Sequence, residues 1–151
     1  MNSLPPERLV ALAREVRMRA YAPYSRFRVG AALEADTGEV FAGCNVENAS
    51  YGLTTCAEQA AVASAVAGGR RRFRRLVVAA GGERAVAPCG RCRQLLAEFG
   101  TDLEVYSVTN GEPMSWLLND LIPDPFARDL VNAGPGGGEA AAAPGAPDSR
   151  G

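Results

Sequence analysis

Two short cysteine motifs carry the side chains best suited to chemistry: Cys-Ala-Glu at positions 56–58 and Pro-Cys-Gly-Arg-Cys at positions 88–92. The thiolates of Cys56, Cys89 and Cys92 can fill three corners of a tetrahedron around Zn²⁺ and leave the fourth for water, as in catalytic zinc sites. Glu58 follows the first thiol by two residues, at the start of a predicted helix. There it can lie beside the water without binding the metal and can transfer protons. The pattern predicts a catalytic zinc site.

Other interpretations of these residues are open from local sequence alone. A structural four-cysteine zinc site would add Cys44, but such sites usually pair their ligands in two close doublets, and Cys44 and Cys56 do not form one. Glu58 has an alternative as an ordinary first-turn glutamate stabilised by the helix dipole. The chain contains no histidine. Histidine ligation and Ser-His or Cys-His nucleophile mechanisms are therefore excluded.

Hydrophobic periodicity and turn residues divide the chain into alternating helices and strands. The pattern predicts a layered α/β domain over residues 1–132. A Gly/Ala/Pro-rich segment, 133–151, is predicted to be a disordered tail, with a docking peptide as its alternative. The predicted helices are 5–20, 57–67, 90–99 and 115–121, and the predicted strands are 29–33, 40–45, 76–80 and 104–108.

Four motifs in order resemble the small, homotetrameric, zinc-dependent cytidine deaminases. They are residues 22–33, residues 43–52, the two cysteine motifs together, and residues 121–126, so that the resemblance covers roughly residues 5–130. The resemblance implies a three-layer α/β/α fold with a five-stranded mixed sheet. It also implies Zn²⁺ as cofactor and hydrolytic deamination of cytidine and deoxycytidine to uridine and deoxyuridine, with Glu58 as the catalytic residue.

The same resemblance assigns substrate contacts to four positions. Asn45 and Glu47 match residues that hold the ribose 3′-hydroxyl, Phe27 matches the aromatic residue that stacks on the pyrimidine, and the backbone at Ala57 matches the acceptor of the 4-amino group. Asn45 and Glu47 are two apart on an extended segment, so their side chains point to one side. Local turn chemistry is the alternative for Asn45, and an ordinary core position is the alternative for Phe27.

Two further aromatic residues, Tyr51 and Phe126, resemble positions that family members contribute across subunit contacts. The resemblance therefore implies a homotetramer. Many family members carry arginine directly after the catalytic glutamate, whereas this chain has Gln59 there. Arg91 or Arg93 can supply the positive charge that glutamine lacks, although each is equally consistent with a solvated residue at a helix start.

Composition indicates the compartment and excludes some partners. The formal net charge of −1 gives no general attraction for nucleic acids or acidic membranes. We read the arginine-rich run 70–75 as solvated residues following a helix C-terminus. Neither a membrane span nor a secretory leader is recognisable, so we expect a cytoplasmic protein with a nucleoside as its small-molecule partner. The alternatives are a blasticidin S-type antibiotic deaminase, a non-catalytic zinc protein and an enzyme that edits cytosine in nucleic acid.

Overall fold

The fold is built on one mixed sheet of five strands in the order β2-β1-β3-β4-β5, seen in a computed structural model that describes residues 4–132. Strands β3 and β4 are parallel, and the other neighbouring pairs are antiparallel. The elements are α1 (Glu7–Arg17), β1 (Gly30–Ala35), β2 (Val40–Cys44), a 3₁₀ turn (Tyr51–Leu53), α2 (Ala57–Ala67), β3 (Phe73–Ala79), α3 (Gly90–Ala97), β4 (Glu104–Val108), β5 (Met114–Leu117), α4 (Leu118–Leu121) and α5 (Arg128–Asn132).

Helices cover both faces of this sheet because the strands are apolar on both sides. Leu9 and Ala13 of α1 are fully buried against one face, in a cluster that includes Val77 and Tyr106. Helices α2, α3 and α4 bury the other face around Leu33 and Leu76. The three-layer α/β/α fold and its five-stranded mixed sheet are therefore confirmed. The predicted tail, 133–151, lies outside the described residues.

Two glycines let the helices approach the β1–β2 hairpin closely. A Cβ at Gly30 would lie 2.1 Å from the Ala13 carbonyl oxygen of α1. A Cβ at Gly43 would lie 2.4 Å from the Ala61 nitrogen and 2.5 Å from the Ala57 carbonyl oxygen of α2. Both distances are below any ordinary contact, so only glycine fits. Gly43 thereby fixes how near the first turn of α2 lies to the sheet.

The predicted helix at 115–121 is wrong over its first half. Residues Met114–Leu117 form β5, which pairs antiparallel with β4 from Glu104↔Leu117 to Ser107↔Met114. Only Leu118–Leu121 is helical. The helical spacing of apolar residues predicted one continuous helix, but the free edge of β4 offers backbone hydrogen bonds that a local pattern does not reveal. The predicted helix 5–20 is also shorter, ending at Arg17.

The arginine run 70–75 is not uniformly solvated. Arg75 lies in β3 and donates to Glu34 at 3.1 Å and to Glu104 at 3.0 Å. Glu34 is almost completely buried and is also paired with Arg8 of α1. A buried carboxylate needs such partners because its desolvation is costly.

Within residues 4–132, no helix is long and apolar enough to cross a membrane.

Candidate active site

The three predicted zinc ligands come together at the starts of two helices. Cys56 is the N-cap residue of α2, Cys89 is the N-cap residue of α3, and Cys92 lies in the first turn of α3. Their sulfur atoms all lie within 4.8 Å of one another. Zn–S bonds of about 2.3 Å in a tetrahedron put sulfur atoms roughly 3.8 Å apart, so the thiols fit zinc with only small shifts. Cys44 lies outside this group.

Helix termini and mutual hydrogen bonding favour thiolate in this group. Cys56 and Cys89 lie at the N-termini of α2 and α3, where the positive end of the helix dipole favours a thiolate. A hydrogen bond from Cys92 is the main cause that lowers the pKa of Cys56 to about 6, with burial and Glu58 opposing it. The same bond, together with burial, raises the pKa of Cys92. The two thiols titrate as a pair, and a divalent cation stabilises the charge of all three sulfur atoms.

Glu58 is the second residue of α2 and is buried beside this cluster, with 6% of its surface exposed. Burial raises the pKa of its carboxyl above the ordinary value of 4.5, against the opposing effects of its own backbone N–H and the Cys92 thiol. A carboxyl group that accepts and returns protons near neutral pH needs such a shift. Glu58 is therefore not a solvated first-turn glutamate, and its role as a general acid and base stays a prediction.

The glutamine that directly follows Glu58, Gln59, has a structural consequence. The Gln59 side-chain oxygen accepts the backbone N–H of Cys56 at 2.9 Å, and the Gln59 backbone N–H points at the Cys56 sulfur. This reciprocal capping box holds the first ligand at the helix start. Positive charge comes from elsewhere: the exposed Arg91 contributes to lowering the pKa of Cys56, although it is the smallest of the causes.

Two residues hold the loop in front of Cys89 through bonds that the sequence did not predict. Arg93 donates to the Pro88 carbonyl oxygen at 2.7 Å and to the Leu121 carbonyl oxygen at 2.9 Å. Buried Ser107 of β4 accepts the Val86 backbone N–H at 2.8 Å. Arg93 therefore positions a ligand loop and is not a solvated helix-start residue. Its direct succession to Cys92 was the only signal available in the sequence.

A small backbone ladder joins the predicted ribose-binding segment to the first thiol. Val46 exchanges two hydrogen bonds of 2.9 Å with Thr55, the residue before Cys56. On the other side of this segment, the Tyr21 backbone N–H donates to the Asn45 carbonyl oxygen at 3.0 Å. The Glu47 backbone N–H donates to the Tyr21 carbonyl oxygen at 2.8 Å. Segment 45–47 is thus one strand spacing from the start of α2. Its position relative to the zinc ligands is set by backbone bonds.

The side chains of Asn45 and Glu47 both bind the turn that carries Phe27. Asn45 accepts the Val29 N–H and donates to the Phe27 carbonyl oxygen, each at 2.8 Å. Glu47 accepts the N–H groups of Tyr24 and Ser25 at 3.0 and 3.1 Å. Bonds from Ser25, mainly from its side chain, and from Tyr24 lower the pKa of Glu47. These bonds of Asn45 reach backbone 16 and 18 residues away and are therefore not the local turn chemistry considered as its alternative. Its contact with ribose, like that of Glu47, stays a prediction.

The predicted aromatic contacts are exposed and lie in two places. Phe27 is 44% exposed and Tyr51 is 75% exposed, and Tyr51 packs edge-to-face on Tyr24 with ring centres 5.8 Å apart. Phe126 is 65% exposed and is held by α3 instead. In the described part of the chain, no hydrogen bond or ring contact joins it to the Phe27–Tyr51 group. Ala57 is fully buried at the first position of α2, next to Cys56.

Several known proteins are similar to this chain. The family model described as "Cytidine and deoxycytidylate deaminase zinc-binding region" matches residues 5–108. A cytidine deaminase of Sporosarcina psychrophila is 42% identical over 125 residues, which cover 82% of this chain and 92% of that protein. The crystal structure of cytidine deaminase from Burkholderia pseudomallei is 46% identical with a TM-score of 0.77, covering 82% of this chain and 100% of that one.

A relative of lower identity is named a blasticidin-S deaminase. The blasticidin-S deaminase of Bacillus cereus is 31% identical over 113 residues, covering 70% of this chain and 81% of that protein. The crystal structure of cytidine deaminase from Mycobacterium tuberculosis is 43% identical to this chain with a TM-score of 0.71. The match covers 82% of this chain and 98% of that one. The prediction of zinc as cofactor agrees with the matched zinc-binding region and with the cluster of three thiols. The chain belongs to the zinc-dependent cytidine deaminase family.

Proposed function

We propose that this protein catalyses the hydrolytic deamination of cytidine and deoxycytidine to uridine and deoxyuridine, with release of ammonia. One observation carries the proposal: three thiol sulfur atoms lie within 4.8 Å of one another beside a buried glutamate. Three thiolates leave a tetrahedral cation one position for water, and Glu58 is the proton carrier next to it. In the part of the chain that the structure describes, no fourth residue joins this cluster, which leaves the position that catalysis requires.

The chain's own residues account for the proton transfers. Zinc, when bound by Cys56, Cys89 and Cys92, supplies Lewis-acid activation of water. Glu58 accepts one proton from the water whose oxygen bonds to C4 of the ring, and passes it to N3. Glu58 then carries the second proton to the amino nitrogen as the C4–N bond breaks, so that ammonia leaves and a carbonyl remains. A raised carboxyl pKa suits both transfers.

The sugar contacts belong to the same proposal. Asn45 and Glu47 lie on a segment bonded to Thr55, which places them near the thiol cluster, and both are suited to a ribose hydroxyl. The carboxylate of Glu47 repels a phosphate, so nucleoside monophosphates and oligonucleotides are poor substrates. Phe27 stacks on the pyrimidine, and the backbone at Ala57 receives its amino group. Free cytosine lacks the ribose that positions C4.

Exposed Tyr51 and Phe126 support assembly of the protein as a homotetramer in which neighbouring copies complete each site. Large exposed apolar side chains mark interaction surfaces. We place the enzyme in pyrimidine salvage in the cytoplasm, where a reduced thiol cluster remains available for metal. Light scattering of the purified protein tests the assembly: a fully active monomer contradicts it.

A panel of cytosine compounds tests the function. Ultraviolet absorbance follows turnover of cytidine, deoxycytidine, cytidine monophosphate, cytosine and blasticidin S by the zinc-loaded protein, with Glu58→Gln as the matched inactive control. We expect the two nucleosides to react and the other three to react poorly. Rapid deamination of blasticidin S with little turnover of cytidine would instead assign the antibiotic activity. The absence of ammonia release from all five compounds contradicts an enzymatic role.

A further inference from the structure

One side-chain amide holds the exposed Phe126 by both polar groups of its backbone. The Gln94 side chain donates from Nε2 to the Phe126 carbonyl oxygen at 2.8 Å and accepts the Phe126 N–H on Oε1 at 3.1 Å. A primary amide is suited to this task because it offers a donor and an acceptor side by side. Phe126 is therefore fixed in place although 65% of it is exposed.

Helix α3 holds the chain on both sides of Phe126 as well. Arg93 donates to the Leu121 carbonyl oxygen at 2.9 Å, and Glu98 pairs with Arg128 at 2.9 Å. The segment from Leu121 to Arg128 is thus bonded at three points, to Arg93 and Gln94 of α3 and to Glu98, the C-cap residue of that helix. Ordering an irregular segment costs backbone entropy. These bonds offset that cost and leave an aromatic ring facing outward.

The geometry of α3 determines which way the ring is presented. Residues two apart on an α-helix are about 200° apart around its axis. Cys92 is completely buried and faces the other two thiols. Gln94, two residues later, therefore holds Phe126 on the side of α3 that is turned away from the chain's own thiol cluster. The backbone of Phe126 is held from that side, and its largely exposed ring is accessible to a second copy.

We propose that Gln94 is a positioning residue for deamination, which fixes Phe126 on the outer side of the zinc-binding helix so that its ring reaches the active site of a second copy of the chain. The proposal rests on the proposed function, in which Phe126 is a substrate contact. Gln94 touches neither substrate nor metal and acts through Phe126. The helix that supplies two ligands to one site thereby orients an aromatic residue for another.

Substitution Gln94→Leu tests this role by removing both hydrogen bonds while keeping a side chain of similar size. We expect the KM for cytidine to rise by about tenfold, with a smaller change in kcat and no change in zinc content. Asn119→Leu is the matched control, because Asn119 is exposed and its side-chain amide forms no hydrogen bond within residues 4–132. A wild-type KM for Gln94→Leu overturns the proposal.

A double-mutant cycle shows whether Gln94 acts through Phe126. Phe126→Ala alone should raise KM, and adding Gln94→Leu to it should change KM by less than twofold. If Gln94→Leu worsens the Phe126→Ala variant by the same factor as it worsens the wild type, Gln94 acts independently and the proposal is wrong. If the wild-type protein does not turn over cytidine at all, it is the proposed function that fails.

Mixed oligomers test the contact between copies. Gln94→Leu chains keep Glu58, and Glu58→Gln chains keep an ordered Phe126, so co-purified mixtures should recover cytidine turnover with a KM near the wild-type value. A mixture that keeps the high KM of the Gln94→Leu parent contradicts presentation to a second copy.

Hydrogen exchange tests the clamp without any substrate. The Phe126 amide should be protected in the wild-type protein and should exchange at least about tenfold faster in Gln94→Leu. Rapid exchange of this amide in the wild type overturns the proposal even if the variant fails to fold.

Discussion

Replacing Asn45 by alanine separates the structural task of segment 45–47 from its proposed contact with substrate. The Asn45 side chain is largely buried and forms two hydrogen bonds of 2.8 Å, to the Val29 N–H and the Phe27 carbonyl oxygen. Each neutral bond contributes about 1 kcal/mol, and each buried backbone group left without a partner costs about 1–3 kcal/mol. Partial solvation of the freed groups by water leaves a net loss of about 2–4 kcal/mol.

The expected fall in melting temperature follows from the size of the domain. For a domain of about 130 residues, 1 kcal/mol corresponds to roughly 3–4 °C, so that Asn45→Ala should melt roughly 6–16 °C below the wild type. Glu47→Gln should change melting much less, because its bonds are formed at the surface. Both variants should lose cytidine turnover. Calorimetry, zinc analysis and steady-state kinetics on the same preparations distinguish the two effects.

Asn119→Ala is the matched control for this experiment, since its exposed amide holds no backbone group within the described residues. Asn45→Asp adds a second test. The carboxylate still accepts the Val29 N–H but places an oxygen against the Phe27 carbonyl, so it should melt below the wild type as well. A melting temperature for Asn45→Ala within 2 °C of the wild type, taken as roughly the uncertainty of the conversion, refutes the inference that Asn45 holds the Phe27 turn.

Three further predictions concern the zinc site and its supporting helix. Glu58→Gln should keep its zinc and fold but lose at least about a hundredfold in kcat, because an amide cannot carry protons; substantial residual turnover contradicts its role. Cys44→Ser should retain zinc in elemental analysis and Cys89→Ser should lose it, and equal losses would contradict the three-thiol site. Gly43→Ala should lose both stability and zinc, because its Cβ would lie 2.4 Å from the backbone of α2, whereas Gly52→Ala meets nothing within 4 Å and should melt and bind like the wild type.

Much of the site was predictable because its chemistry is concentrated in short motifs. The spacing of Cys56, Cys89 and Cys92 predicts the ligand set, and the polarity of a helix start explains why thiols and Glu58 occur there. The roles that the sequence pattern did not reveal depend on bonds to backbone elsewhere in the fold. Ser107 and Arg93 hold a loop, and nothing in their local sequence tells which carbonyl or N–H they reach.

The errors in the fold have the same origin. Residues 114–117 become a strand because β4 has a free edge, which is a property of the assembled sheet. Arg75 was read as solvated because the run 70–75 follows a helix C-terminus, but its partners Glu34 and Glu104 belong to adjacent strands. The ribose contact of Asn45 stays a prediction, and its bonds to the Phe27 turn became visible only in three dimensions.

The glycine at position 43 also bears on how faithfully the chain folds. In the β1–β2 hairpin Gly43 pairs with Ala31 and faces α2. A slip of one residue would turn the strand over and bring Ala42 or Cys44 to that place. Either side chain would collide with the backbone of α2, which would then be unable to dock and bring Cys56 beside the other two thiols. A hairpin in the wrong register would therefore not assemble the three-thiol site. Zinc binding would stabilise only the chains whose hairpin is correctly paired.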